Sequence, residues 1–366
     1  MKKAVTGAAG RFVILLALLL FMLFLTSSGW LLFAVLLLIA VPLVSCALNR
    51  FVSRKLTVHL FLPTASAKHT AVTAELEIEN KSFLPVLSVW CTLILRNDLT
   101  GEVREILLPE AVGAGQKTRD SFLLESGYTG RLSLSAESLR VMDFFGFLPV
   151  KRKADAVVRM TVLPELFPVD VSLTARAADS EEGSADRKGH DRSELFQLRD
   201  YRPGDDVRQI HWKLSSKLDE LIFKEPGEPL SRSVMVFWDK RKTSSPAAMD
   251  ALAEAVSSVC MRICGDGIPF TLVWTEEELQ AEDISDENGL LAAVPALVKT
   301  AGNADCPLPD MAEYGLVLYF AGELPEENFP DKVHFILCAE TADAPDTTAF
   351  SEDTVREDLA RLEVGV

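Results

Sequence analysis

Residues 199–217, RDYRPGDDVRQIHWKLSSK, gather the side chains best suited to chemistry: Asp205 and Asp206 side by side, His211, Arg199 and Arg208, Tyr201 and Trp212. Carboxylates beside a histidine suit general acid–base hydrolysis. Adjacent aspartates, however, point to different sides of a turn, which is poor geometry for an acid/base couple. The same residue types also suit a different task. Arg, Tyr and Trp are the types most enriched where protein surfaces bind one another, and Asp, Arg and Tyr can form a hydrogen-bonded clasp. The other signatures of catalysis are absent. There is no H-E-x-x-H or G-x-S-x-G, and His59, His69, His190, His211 and His334 are dispersed. Residues 113–118, GAGQKT, lack the glycine before the lysine of a phosphate loop and precede no helix, so they read as a hairpin turn.

Local physics predicts how the stretch is held. Pro203-Gly204 suits the centre of a type II turn, with proline presetting φ and glycine accepting φ > 0. Asp205 or Asp206 can then N-cap a helix, along which Val207, Ile210, Leu214 and Leu218 form one apolar stripe. Arg208 and Trp212 lie four apart on an adjacent face, where a guanidinium can cover an indole. The residues Leu221-Ile222-Phe223 read as a departing strand. The stretch is therefore a strand, a tight turn, a short helix and a strand.

The surrounding elements divide the 366 residues into four parts. Residues 1–55 contain two apolar runs, Phe12 to Leu25 and Trp30 to Leu48, separated by Thr26-Ser27-Ser28-Gly29. The second has the roughly 20 residues needed to cross a bilayer and the first is short. With no small-residue cleavage site between them, the pair reads as a transmembrane hairpin in contact with lipid over residues 12–48. Lys2, Lys3 and Arg11 precede it and Arg50, Arg54 and Lys55 follow it, which places both ends in the cytoplasm. The expected localisation is the cell membrane, multi-pass, with cytoplasmic soluble domains. The scattered cysteines, Cys46, Cys91, Cys260, Cys264, Cys306 and Cys338, read as reduced residues rather than disulfides or a zinc site.

Residues 56–168 carry a succession of alternating apolar and polar runs with turn signals between them, predicting an antiparallel, immunoglobulin-like β-sandwich. Residues 169–192 are polar and aperiodic, a linker. Residues 193–366 alternate strand and helix: strands at 231–239, 268–275, 314–320 and 332–338, helices at 246–264 and near 289–299, and a last helix in the tail TVREDLARLEV. That pattern predicts a mostly parallel sheet with helices on both faces. The charge is uneven. The whole chain carries −16, whereas from Glu276 onward about 22 acidic residues face 4 basic ones. Nucleic-acid binding is disfavoured, because no basic face is present. The acidic surface serves solubility or docks a basic partner.

The pattern R-x-Y-x-x-G-D-D-x-R-x-I-x-W, formed by Arg199, Tyr201, Gly204, Asp205, Asp206, Arg208, Ile210 and Trp212, resembles the signature of the domain-of-unknown-function 58 family. Phe196 and Phe223-Lys224-Glu225 fit the same pattern. Upstream, Gly127-Tyr128 and the run Asp143-Phe144-Phe145-Gly146-Phe147 resemble a second family segment. There Ser126 replaces an arginine and Phe144 a proline. The resemblance covers the chain from the paired helices onward. It implies a C-terminal part similar to a von Willebrand factor A domain, many of which bind Mg²⁺ through Asp-x-Ser-x-Ser after the first strand. The corresponding run here is Asp239-Lys240-Arg241-Lys242-Thr243. Asp239 and Thr243 remain, but Arg241 puts a cation at the central serine position and Phe320-Ala321-Gly322 offers no acid. The site reads as degenerate, with no metal or other cofactor expected.

The resemblance further implies association with a MoxR-type AAA+ ATPase. The expected function is thus a membrane-anchored cytoplasmic scaffold or adaptor with a chaperone-like or envelope-related role, not an enzyme. The alternatives are a metal-independent hydrolase using the 199–217 motif, or a purely structural membrane anchor.

Overall fold

The computed structural model describes the chain except residues 1, 27, 144–148, 175–195, 201–214, 216–221, 227–233, 242, 244, 326–328, 331, 340–345 and 366. It begins with two helices in contact, α1 (Lys2–Thr26) and α2 (Gly29–Ser53). Among the described residues α2 alone is long and apolar enough to cross a membrane. The apolar part of α1, Gly10–Thr26, is shorter. At about 1.5 Å per residue it falls short of a bilayer core of about 30 Å. One span, rather than the two expected, is therefore supported.

Almost no chain separates α2 from the first strand, and the joint is hydrogen-bonded. Eight strands follow: β1 (Leu56–Phe61), β2 (Ala65–Ala67), β3 (Val72–Asn80), β4 (Val86–Asn97), β5 (Val103–Val112), β6 (Lys117–Leu124), β7 (Gly130–Val141) and β8 (Val150–Leu163). They form two sheets, ordered β1-β3-β6 and β2-β8-β7-β4-β5, antiparallel except for the short β2–β8 pairing. Leu56, Leu76 and Ile78 of one sheet meet Val89, Leu93 and Leu134 of the other in one core. Along β7 alternate residues are buried, the period expected of a half-covered antiparallel sheet. Gly130, at φ +133°, opens β7 where a Cβ would collide with Asn97 and Leu99. Arg152 on β8 donates 2.8 and 2.7 Å hydrogen bonds to the carbonyls of Ser53 and Leu56. The Asn49 amide donates to the Val141 carbonyl at 3.1 Å, and Ser45 Oγ to Asp143 at 3.4 Å.

The expected linker opens with a strand, β9 (Asp170–Thr174). Next, β10 (Phe196–Asp200) pairs antiparallel with β11 (Ile222–Pro226), Arg199 opposite Phe223. The second layer is a six-stranded sheet of β12 (Val234–Trp238), β13 (Phe270–Thr275), β14 (Leu279–Ile284), β15 (Leu316–Ala321), β16 (Val333–Cys338) and β17 (Thr347–Phe350). Its order is β14-β13-β12-β15-β16-β17, parallel apart from the β13–β14 pair at one edge. The strands β12, β13 and β15 are buried along their whole length, as central parallel strands must be. Helix α3 (Pro246–Gly265) starts at a Ser245 cap with Pro246 in its first turn, and α4 (Glu287–Leu297) at an Asp286 cap.

One expectation falls partly outside the described residues, and another changes. Among the described residues α3 and α4 share a core with the same sheet face, through Val236, Trp238, Leu318 and Phe320. Among the described residues the opposite face, with Phe237 and Tyr319, packs against Leu308, Met311, Tyr314 and Phe329 from irregular chain. The tail is different. Only α5 (Val355–Asp358) is helical, and β18 (Arg361–Gly365) then pairs in parallel with β9. Val355, Leu359 and Leu362 have helical spacing, but the pairing with β9 buries Leu362 completely, and tertiary pairing overrides periodicity.

Candidate functional site

In an open α/β sheet, ligands bind outside the carboxyl ends of the strands where the strand order reverses. Here β12 leads by way of α3 to β13 on one side, and the chain then returns to β15 on the other, so the reversal lies between β12 and β15. Asp239 follows β12 at that point, and its N–H extends the ladder by donating to the Phe320 carbonyl at 2.8 Å.

The Asp239 carboxylate is buried and fully engaged. Arg241 turns back to donate from Nε to Oδ1 at 2.8 Å and from Nη2 to Oδ2 at 2.7 Å, while its own N–H reaches Oδ1 at 3.0 Å. Tyr319, from the middle of β15, donates its hydroxyl to Oδ2 at 2.6 Å. Burial pushes the Asp239 pKa up, but the donors from Arg241 and Tyr319 outweigh it and hold the carboxyl below its ordinary range. Burial and the neighbouring carboxylate push the Tyr319 phenol well above its ordinary value. The remaining Arg241 nitrogen donates to the Cys306 carbonyl at 3.0 Å. This donor set does not fit a hard cation, which needs free oxygens in an octahedral array. Both carboxylate oxygens face hydrogen-bond donors, and a guanidinium fills the adjoining space. Thr243 lies against Gly322, where an added Cβ would stand 2.9 Å from the Thr243 hydroxyl. That hydroxyl has no hydrogen-bond partner among the described residues.

Between Asp239 and Arg241 sits Lys240, almost wholly buried. Its ammonium caps the end of α4, donating to the carbonyls of Leu297 at 2.6 Å and Thr300 at 3.0 Å, and lies 4.7 Å from the centre of the Trp238 ring. Burial draws its pKa down to about 7, with Glu276 opposing. Gly302 allows this approach, since a Cβ there would meet Lys240 and Thr275 within 3.0 Å.

A second polar cluster joins the sandwich to α3. Lys68 places its ammonium 2.5 Å from both Asp250 and Glu254, and the Thr129 N–H donates to Asp250 at 2.6 Å. Ser258 accepts from the Phe167 N–H at 3.1 Å. Arg356 adds contacts to Glu165 and, at 3.8 Å, to Glu254. Burial lowers the Lys68 pKa, but its two carboxylate partners more than compensate and raise it overall. Two acids share one lysine, so burial and the neighbouring Asp250 keep the Glu254 carboxyl above its ordinary value.

Of the sequence-predicted residues, Arg199 lies on β10, paired with β11. Tyr201, Gly204, Asp205, Asp206, Arg208, Ile210 and Trp212 lie outside the described residues. Of the upstream motif, residues 144–147 lie outside the described residues, and the others fall at joints of the fold. Gly127 and Tyr128 form the turn next to Thr129, whose N–H holds Asp250, and Asp143 accepts from Ser45 of α2. Sequence reasoning missed Lys68, Asp250, Glu254 and Tyr319. Asp250 and Glu254 left a trace, two acids one turn apart on a helix otherwise rich in small and apolar residues. Burial lifts the thiols of Cys91 and Cys338 to about 12 and of Cys264 to about 11, away from the thiolate form that a nucleophile needs.

No family model matches the chain, and no curated protein does. Similar solved structures cover about a third of it. One is the CARDB domain of a Pyrococcus furiosus protein, solved in complex with di-metal ions, at 13% identity, covering 30% of this chain and 87% of that one, TM-score 0.23. Another is a type I cohesin from Pseudobacteroides cellulosolvens, at 12% identity, covering 35% and 98%, TM-score 0.20. A family 123 glycoside hydrolase from Clostridium perfringens matches at 9% identity over 32% and 30%, TM-score 0.22.

Proposed function

We propose that this chain is a membrane-anchored scaffold or adaptor, with α2 in the bilayer, α1 returning beside it, and the soluble parts in the cytoplasm. The observation that supports this reading is the closure of the site at the strand-order reversal. Asp239, the acid that follows β12 where such sheets present ligands, is held by Arg241 and Tyr319. A carboxylate held by four donors is a poor base and a poor metal ligand. The same economy recurs in the Lys68 cluster and at Asp143, where groups capable of chemistry join parts of the fold.

The C-terminal unit is, on this reading, a von Willebrand factor A-like domain whose metal site has become a salt bridge, and the sandwich is immunoglobulin-like. The partner proposed is a MoxR-type AAA+ ATPase, with Arg199, Tyr201, Asp205, Asp206, Arg208 and Trp212 forming a clasp and contact surface beside β10 and β11. The full-length tagged chain, purified from detergent-solubilised membranes, is expected to bring down such an ATPase, and Trp212→Ala to weaken the capture without shifting the melting temperature. Recovery with no ATPase, together with a substrate turnover lost in Asp205→Ala or His211→Ala, would replace the scaffold by a hydrolase. A C-terminal reporter active only outside the membrane should stay silent, and a strong signal would reverse the orientation.

A further inference from the structure

An apolar recess in the described residues lies between α2 and the loop that leads into β4, with the first residues of that strand. It has a volume of about 480 Å³ and an almost wholly apolar lining. That volume falls in the range of ~300–1,000 Å³ typical of sites for small apolar ligands. On the helix side its wall is the stripe Leu37, Val41, Val44 and Leu48, at steps of four, three and four residues that keep one face toward the loop. On the other side stand Leu84 and Leu87. Phe83, next to Leu84 in the chain, meets Phe51 of α2 with ring centres 6.0 Å apart, yet Phe83 remains 73% and Leu87 58% exposed. Exposed apolar groups this concentrated mark a binding surface.

We propose that this recess holds a phospholipid acyl chain, and that the sandwich is seated on the bilayer with Phe83 and Leu87 immersed in it. The proposal rests on the reading that α2 crosses the membrane. Three observations select lipid over a protein occupant. First, one wall of the recess is the helix of spanning length itself, so whatever surrounds α2 fills the recess too. Second, Leu37 to Leu48 is about 17 Å of helix at about 1.5 Å per residue, which runs from mid-helix toward its soluble end as an acyl chain does from the bilayer centre to its surface. Third, exposed cations lie at the soluble end of α2. Arg50, Arg54 and Lys55 follow the stripe on the chain, and the N–H of exposed Lys81 donates to the Lys55 carbonyl at 3.1 Å. Cations at that height suit lipid phosphates. Because Arg152 and Asn49 fix the sandwich to the end of α2, the loop has little freedom to lift away.

The test is photo-crosslinking of the full chain in phospholipid vesicles, with a diazirine amino acid placed singly at 83, 87, 44 and 103. Position 44 reports on the helix, and position 103 is an exposed strand residue outside the recess. Phospholipid adducts, read by mass, are expected at 44, 83 and 87 and not at 103. Adducts at 44 with only water or protein products at 83 and 87 would overturn the seated sandwich while leaving the membrane reading intact. Absence of adducts at 44 would overturn both. Equal lipid labelling at 103 would show contact without a site, and would also overturn the proposal.

Discussion

Two clusters in this chain use the same groups over very different chain distances. Asp239 and Arg241 are two residues apart, and their pairing closes a loop at the carboxyl end of the central strands. Lys68 reaches across 182 residues to Asp250 and across 186 to Glu254, so its pairing defines how the sandwich meets α3. The first is balanced, one acid to one guanidinium with a phenol in support. The second carries two acids to one lysine and depends on the Thr129 N–H and on Arg356 for relief. A local pair protects a fold from within, whereas a distant one decides whether two folds behave as one.

Breaking each cluster should give different signatures. Asp239→Ala strands a partly buried guanidinium and a buried phenol; loss of one partner from a buried pair costs on the order of 3–5 kcal/mol, and the partial exposure of Arg241 places this variant toward the lower end. The expected outcome in chemical denaturation is a single transition at lower denaturant. Lys68→Ala leaves two carboxylates facing each other at a seam, and a cost of similar order, about 3 kcal/mol, is expected. Here the unfolding curve should split in two, since the seam is lost before either core. A single shifted transition for Lys68→Ala would erase the distinction between the clusters.

The pH dependence sharpens the local cluster. The depressed Asp239 pKa contributes stability that is present above the ordinary carboxylate range and is lost as pH falls through the folded-state value. Its neighbour has the opposite sign. Lys240, with a pKa drawn down to about 7, weakens the fold while protonated, and stability should rise as pH climbs from about 7 toward the ordinary lysine range. Lys240→Met should flatten that rise, a difference on the order of a few kcal/mol between pH 7 and 10. Denaturation midpoints of both proteins at the two pH values decide it. Titration of the soluble region, residues 56–366, with Mg²⁺ should release only heat of dilution, because Asp239 has no oxygen to spare; saturable binding abolished by Asp239→Ala would reverse that reading. The smallest effect belongs to Arg119, whose half-exposed guanidinium pairs with Glu75 and Glu77 across strands. Arg119→Ala should leave the denaturation midpoint unchanged.

Much of the strand content was legible because burial imposes a period. The alternation in VTAELEIEN and the unbroken VMVFW are local consequences of facing one core or two. The short β2 and the edge strands β14 and β17 were not legible, being too short or too polar to show a period. The Asp239–Arg241 pairing was partly legible, since the residues are two apart and the cation was visible at the position of a ligand. Tyr319 was hidden by its setting in an apolar strand, where LVLYFA reads as core. Lys68 was hidden for the opposite reason. It lies in a polar turn that looks solvent-exposed, and only the approach of α3 gives it partners.

The junction at Ser53 and Leu56 has a mechanical meaning. A hinge needs a residue or two whose dihedrals can swing freely, but here Arg152 clamps the carbonyls on both sides of the joint. Helix and sandwich therefore turn as a lever with no slack at its fulcrum. A change of a few degrees in the inclination of α2 would swing the far end of the sandwich, and the unit pinned there by Lys68, through a proportionally larger arc.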